Sequence, residues 1–481
     1  MVIERKADVT RRARRRSWTI AYWIVLSAAI ASSAAPAGPI GAQRAELERF
    51  IQRRVLPNGL EIIVVENHGV PLVTLEAVVK NGSFTQTPKS EGLAHLYEHM
   101  FFKATADFPR PDGVIGRASQ LGAVFNAETQ EEEVNYYLTI PSDSLEGGLR
   151  LLSSALQRPL FLADELAREK DVVLGEYDRA ESEPFWHLDQ AMGRVLWGAQ
   201  FARKNTTGDR GVISRVTPAQ MREIQQRYYV PNNTALIIAG DVNPADAFAR
   251  AERLMGAWAR GADPLEANPI PPIPPLSRDS AVIVEQNVGA VTVLVQWHGP
   301  SVGKDPEATF VADVFSDYLN LDGSAFQTKL VDSGLWQGVL VNYYTLNHVG
   351  PITVSGQTTP ERLQDALVAM MRELRRTGDP GYFTAEKLEE VKAHRATSSA
   401  FGRERTSGFA HTLGFWWSVA GLDYYLRYVD EMARKTPADL ARYARDYLLD
   451  KPHVTGVLLD PGVRRRALLT ERDVRRWAAW Q

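Results

Sequence analysis

The chain of 481 residues contains no cysteine. Disulfide staples, thiol nucleophiles and cysteine-ligated metal centres are therefore excluded, and any metal must be held by histidine or carboxylate. Histidine is also scarce, with 9 in the whole chain, so two standing close together carry weight. With 55 Lys and Arg against 58 Asp and Glu the net charge is −3, so the basic excess of a nucleic-acid binder is missing and no such partner is expected. Hydrophobic residues make up 44% and charged residues 23%, as in a globular protein. A chain this long exceeds one ordinary core, and two or more domains are expected.

Long apolar runs are confined to the N-terminus. TRRARRRS is followed by the apolar, small-residue stretch WTIAYWIVLSAAIASSAA, with small-residue cleavage points after Ala37 or Ala42. Residues 1–42 have the layout of a secretory signal peptide, and the length of the run also suits an uncleaved N-terminal membrane anchor. Either reading makes this an exported protein, expected in the periplasm, free or membrane-anchored.

Beyond residue 45 strands and helices mix without strict βαβ alternation, which predicts an α+β fold. RRVLPNGLEIIVVEN reads as two strands around a Pro-Asn-Gly turn, and VPLVTLEAVVKNGS as another strand. SEGLAHLYEHMFF reads as a helix with Ser90 as its N-cap, and ADELAREKDVVLGEYDRAES as a longer helix. Residues 262–277 hold six prolines and no periodicity, and read as an extended linker. On either side of it stand related segments, TPAQMREIQQRYYVPNNTALIIAGD from Thr217 and TPADLARYARDYLLDKPHVTGVLLD from Thr436. Thr, Tyr228 with Tyr447, and Asp241 with Asp460 all repeat at an offset of 219, which indicates duplication. The expected organisation is an N-terminal domain over 45–262, a Pro-rich linker over 263–277 and a homologous C-terminal domain over 278–481. Each domain is a mixed or antiparallel sheet packed against helices. Shifting His95 and His99 by 219 lands on Val314 and Tyr318, so only the first copy carries a histidine pair.

That pair lies in HLYEH, residues 95 to 99. On a helix, residues four apart share one face, so His95 and His99 can present two imidazoles to one ion. Zinc accepts such nitrogens and takes about four ligands. Glu98, close to the ion without holding it, suits a general base acting on water. Solvated surface histidines would give the same spacing, so a third ligand decides the matter. The helix ADELAREKDVVLGEYDRA offers Glu169 and Glu176, two turns apart on one face with Val173 between them. Glu165, Asp171 and Asp178 read as a solvated acidic face.

His95, Glu98 and His99, with Glu176 following after 76 intervening residues, resemble the signature of the pitrilysin/insulinase family of inverzincin metallopeptidases. The resemblance extends over RRVLPNGLEIIVVEN, NGSFTQTPKSEGLAHLYEHMFFKAT, LGAVFNAETQEEEVNYYLTI, LAREKDVVLGEY and RYYVPNNTALIIAGDV. It implies a half-clamshell of two α+β domains and one Zn2+ per chain held by His95, His99 and Glu176. Glu98 would be the general base of peptide hydrolysis, and Glu169 would orient a ligand from behind. Asn126 and Ala127 would lie on an edge strand to which a peptide substrate adds through its main chain. Tyr136 is expected to pack inside the sheet. The implied activity is zinc metalloendopeptidase, acting on peptides or small unfolded polypeptides. A non-catalytic structural or chaperone-like homologue is the alternative.

One departure bears on this. Active members use an Arg and a Tyr in Leu-Arg-x-x-x-Gly-Leu-x-Tyr to grip substrate and stabilise the oxyanion. In KLVDSGLWQGV, Gly334 and Leu335 align, but Val331, one residue nearer to Gly334 than the pattern's Arg, and Gln337 stand for the Arg and Tyr, and Leu330 at the strict spacing is no Arg either. The chain therefore resembles the zinc-bearing subunit of a two-subunit enzyme. The expected partner is a homologous subunit supplying Arg and Tyr, or a second copy in a homodimer of reduced activity.

Overall fold

Residues 50–480 are described by the computed structural model, so the expected signal peptide or anchor lies outside the described residues. None of the described helices is long and apolar enough to cross a membrane. β1 (Ile51–Val55), β2 (Glu61–Glu66), β3 (Leu72–Val79), β4 (Val124–Thr129), β5 (Val134–Pro141) and β6 (Thr234–Gly240) form one sheet in the order β1-β2-β6-β3-β5-β4. β7 (Ser280–Glu285), β8 (Val291–His298), β9 (Gly338–Tyr343), β10 (Pro351–Thr358) and β11 (Val454–Leu459) form a second, ordered β7-β11-β8-β10-β9. Each sheet has one parallel pair, β2 with β6 and β7 with β11, among antiparallel neighbours. This is the mixed-sheet α+β architecture expected, and the two sheets share one order apart from β1.

The helices repeat in the same way. The first half carries α1 (Leu93–Phe101), α2 (Leu145–Gln157), α3 (Ala163–Glu181), α4 (Pro184–Trp197) and α5 (Pro218–Tyr228). The second carries α6 (Pro306–Asn320), α7 (Leu363–Arg376), α8 (Ala385–Phe401), α9 (Thr406–Val419) and α10 (Pro437–Tyr447). α5 and α10 both open with a capping box, on Thr217 and Thr436. These are the threonines that reveal the 219-residue offset. After a single helical turn at Pro264–Ala267, residues 268–279 run without helix or strand. Ile273 and Leu276 are not free of the fold: they pack against a cluster built on Leu188 and Met192 of α4.

The halves exchange helices. Leu188, Met192, Leu196 and Trp197 of α4 bury against Leu294, Val454 and Leu458 of the second sheet. α9 buries Phe409, Ala410, Leu413 and Trp417 in one cluster with Ile63, Val78, Ala235 and Ile237 of the first sheet. Glycine permits both approaches. A Cβ at Gly414 of α9 would press on Val78, and one at Gly456 of β11 on Met192.

A run of carboxylates at the β4–β5 turn also crosses between halves. Glu131 accepts from Lys204 Nζ at 2.6 Å, and the same ammonium reaches the Val349 carbonyl at 2.7 Å. Glu132 accepts the backbone N–H groups of Asn347 and His348, at 2.6 and 2.8 Å. Glu133 lies 2.8 Å from the Ser418 hydroxyl, and Glu76 of β3 lies 2.6 Å from Nδ1 of His411 on α9. Burial pushes the Glu133 carboxyl up to about 8, against the opposing pull of the Ser418 hydroxyl. Unfolded, the same carboxyl titrates near 4.5. Between those values the folded chain holds a proton that the unfolded chain has released, so rising pH removes stability across that window. Wild type is therefore expected to lose more denaturation midpoint than Glu133→Gln between about pH 5.5 and about pH 8.5. Parallel midpoint curves for the two proteins would refute this.

The second copy of the HLYEH helix is α6, and the copy of α3 is α8. The 219-residue offset carries Glu176 onto Arg395, and Asp313 and Asp317 stand one position before the images of His95 and His99. The Arg395 guanidinium contacts Asp317 at 2.6 and 2.7 Å, and Tyr428 donates to Asp313 at 2.5 Å. Burial pushes the Asp313 carboxyl up to about 6, although Arg395 and Tyr428 favour its charged form. A guanidinium thus sits between the two helices at the place where the first half has its histidine pair and glutamate.

Candidate active site

α1 follows the Gly-Ser turn after β3 and packs its apolar face inward through Leu93, Leu96, Tyr97, Met100 and Phe101. Phe101 stacks on Tyr136 at 3.6 Å between ring centroids, so Tyr136 belongs to the sheet packing as expected. Ser90 does not cap this helix. Its hydroxyl turns to Thr87, and the Gln86 side chain accepts from the N–H groups of Gly92 and Ala94 instead. The face left over carries His95, Glu98 and His99.

Opposite it, α3 buries Val173 and points Glu169 and Glu176 at the histidines. Glu176 Oε2 lies 3.6 Å from His95 Nε2 and 3.4 Å from His99 Nε2. Ligands about 2.0–2.1 Å from a tetrahedral zinc stand about 3.4 Å from one another, so this spacing fits the ion. One ligand atom from each of the three residues lies within 4.8 Å of the others, and among the described residues no other such group of three occurs. Glu169 Oε2 meets His99 Nδ1 at 3.2 Å, which directs Nε2 of that ring to the site, while Glu169 Oε1 takes Lys103 Nζ at 2.7 Å. Glu165 corrects the sequence reading. It is fully buried and not solvated, accepting from the N–H groups of Ala104 and Asp112 at 3.2 and 2.8 Å. Asp178 is surface-paired with Arg210, and Asp171 is exposed, as expected.

The electrostatics favour a cation. Burial and the neighbouring His99 ring push His95 down to about 4, outweighing the pull of Glu176. Burial also works against a charged His99, but hydrogen bonds to Glu169 and Glu176 overcome it and lift that imidazole to about 9. A divalent ion held by these residues would take the place of that proton. Glu98 accepts from Thr129 Oγ1 at 2.8 Å. Burial nevertheless raises its carboxyl above the usual range, towards the basicity a proton acceptor needs.

These groups open onto a cleft of about 440 Å³. Ala127, Glu128, Thr129 and Gln130 border one side, and Val173, Tyr177 and Ala180 of α3 border another, with Thr206 and Thr207. β4 is the outer strand of its sheet, so among the described residues no strand pairs with its far edge; Asn126 is exposed there, and Ala127 is buried. All residues bordering the cleft belong to the first half. In the second half, Val331 lies in a π-helical turn, Gln337 is exposed, Trp336 is tied to the Ala366 carbonyl and Tyr343 to that of Pro300. None of these borders the cleft.

Fold and site together define a duplicated α+β architecture whose first copy carries an HxxEH motif and, with Glu176, a group that could hold a metal ion. The family description "Insulinase (Peptidase family M16)" matches residues 61–204, and "Peptidase M16 inactive domain" matches 215–394. The chain belongs to this insulinase family, peptidase family M16. It is 25% identical over 362 residues to the probable zinc protease PqqL of Escherichia coli, covering 71% of this chain and 38% of that protein. PqqL is described as a periplasmic protease, and the chain spans about half the length of its solved structure, with a TM-score of 0.74 over 89% of this chain. The uncharacterized zinc protease YmxG of Bacillus subtilis is 24% identical over 366 residues, covering 74% of this chain and 86% of that one. A protease from Helicobacter pylori superposes with a TM-score of 0.76 at 20% identity, over 85% of this chain and 99% of its own, and so shares the half-clamshell fold.

Proposed function

We propose that the chain is the zinc-bearing subunit of an exported metalloendopeptidase that hydrolyses peptides or small unfolded polypeptides. The observation that carries this reading is the convergence of His95, His99 and Glu176, with Glu98 beside them, in a cleft bordered by the edge strand β4. His95, His99 and Glu176 would hold the ion, and Glu169 would fix the orientation of His99. A zinc ion held there supplies Lewis acidity, acidifying water and polarising the scissile carbonyl. The substrate adds to the edge of β4 at Asn126 and Ala127, in main-chain register. Glu98 takes the proton of the attacking water and returns it to the leaving amine nitrogen. Arg and Tyr for the oxyanion and substrate would come from a homologous subunit, or activity would be reduced in a homodimer. Full turnover by the purified chain alone would exclude that division of labour.

A second reading, a non-catalytic scaffold or chaperone-like homologue, draws on Val331 and Gln337. Metal analysis addresses the first requirement of catalysis. Glu176→Gln is expected to lower zinc affinity by at least about tenfold, reducing bound zinc after dialysis well below one per chain. Unchanged zinc content in the variant would remove Glu176 from the ligand set. Zinc retention by wild type without hydrolysis, with and without a homologous partner, would favour the scaffold.

A further inference from the structure

We propose that Tyr177, Thr206 and Thr207 form a second wall for the substrate, hydrogen-bonding the main-chain edge that β4 leaves free; this rests on the peptidase reading. An extended peptide projects N–H and C=O groups from both edges. Pairing with β4 satisfies one edge, and the groups on the other still need partners once the cleft excludes water. The opposite border supplies three hydroxyls. Val173, Glu176, Tyr177 and Ala180 form one stripe of α3 along the cleft, and Thr206 and Thr207 line the same cavity. Among the described residues no hydrogen bond engages the hydroxyl of Tyr177, Thr206 or Thr207, so all three are available to a ligand.

The wall is held in place from behind. The Arg210 guanidinium lies over the Tyr177 ring at 4.2 Å, and Trp186 meets its edge at 5.4 Å. Arg210 is itself fastened to Asp178 and Glu181. The turn bearing the threonines is tied down at Asn205, which donates to Glu91 at 2.6 Å and to the Gly208 carbonyl at 3.1 Å and accepts from Gln190 at 3.2 Å. A hydroxyl both donates and accepts, so it serves a carbonyl or an amide without regard to side chains. The wall therefore gives sequence-independent grip on an unfolded chain, which matches the substrate class proposed above. Every hydroxyl in it comes from the half that holds the histidine pair.

The test measures peptide binding to the zinc-loaded Glu98→Gln chain by fluorescence anisotropy. The probes are a labelled unstructured peptide and a series of its analogues, each with one backbone amide N-methylated. Tyr177→Phe and the double variant Thr206→Val/Thr207→Val, each in the Glu98→Gln chain, are each expected to weaken the parent peptide about fivefold, the equivalent of one hydrogen bond. For analogues methylated on amides facing the wall, that penalty should largely vanish, and for those methylated towards β4 it should persist. Unchanged zinc content shows that the variants are folded. Equal penalties across all analogues, or no penalty for the parent, would overturn the proposal and leave the peptidase reading standing. Failure of the zinc-loaded chain to bind any of the peptides would overturn both.

Discussion

Glu98→Gln is expected to lower kcat/KM for peptide hydrolysis by about 10²–10⁴-fold, the usual contribution of a positioned general base. The substitution keeps the shape of the side chain. Its remaining carbonyl oxygen can still accept from Thr129 Oγ1, which reaches Glu98 at 2.8 Å in the wild type. His95, His99 and Glu176 are untouched, so bound zinc should stay at the wild-type level. The loss should fall on kcat, because an amide accepts no proton from water, while peptide affinity is retained. A variant with wild-type kcat and full zinc would show that the base is elsewhere. A variant that loses both zinc and activity would show that Glu98 serves the ion directly.

Arg395→Met is expected to cost about 2–3 kcal/mol of stability, read as a fall in chemical denaturation midpoint. The guanidinium is the positive group between Asp313 and Asp317, and it contacts Asp317 at 2.6 Å. All of these groups are half-buried or deeper, so removing the cation leaves two carboxylates facing each other with little water. Neutralising the acids as well, in Arg395→Met with Asp313→Asn and Asp317→Asn, should recover much of the loss. Failure of that triple variant to recover would place the cost in lost arginine packing instead of unpaired charge.

Much of the site is legible in the sequence because its determinants are local. His95 and His99 share a face through helical periodicity alone, and Glu169 and Glu176 repeat that logic on a second helix. The duplication is legible because capping boxes and strand ends recur at constant spacing. Glu165 shows where this stops. Its acidic neighbours and exposed Arg168 make it look solvated, yet it caps two backbone amides of a distant loop. Ser90 has the residue type of a cap, but the Gln86 amide reaches the same N–H groups from outside the turn. The roles of Glu131, Glu132 and Glu133 depend on partners between Lys204 and Ser418, beyond the reach of local pattern. Arg395 was within reach, since the offset that places Val314 and Tyr318 also carries Glu176 onto an arginine.

The exchange of α4 and α9 between the sheets has a consequence for how such a chain is divided. The proline-rich stretch is where composition changes, but the hydrophobic boundary lies elsewhere. Cutting the chain there would leave each fragment with an apolar helix whose cover lies on the other fragment. The two halves behave as clasped hands, so the duplicated gene now encodes a single folding unit. The second half has no histidine pair at the matching positions, yet it covers part of the first half's core.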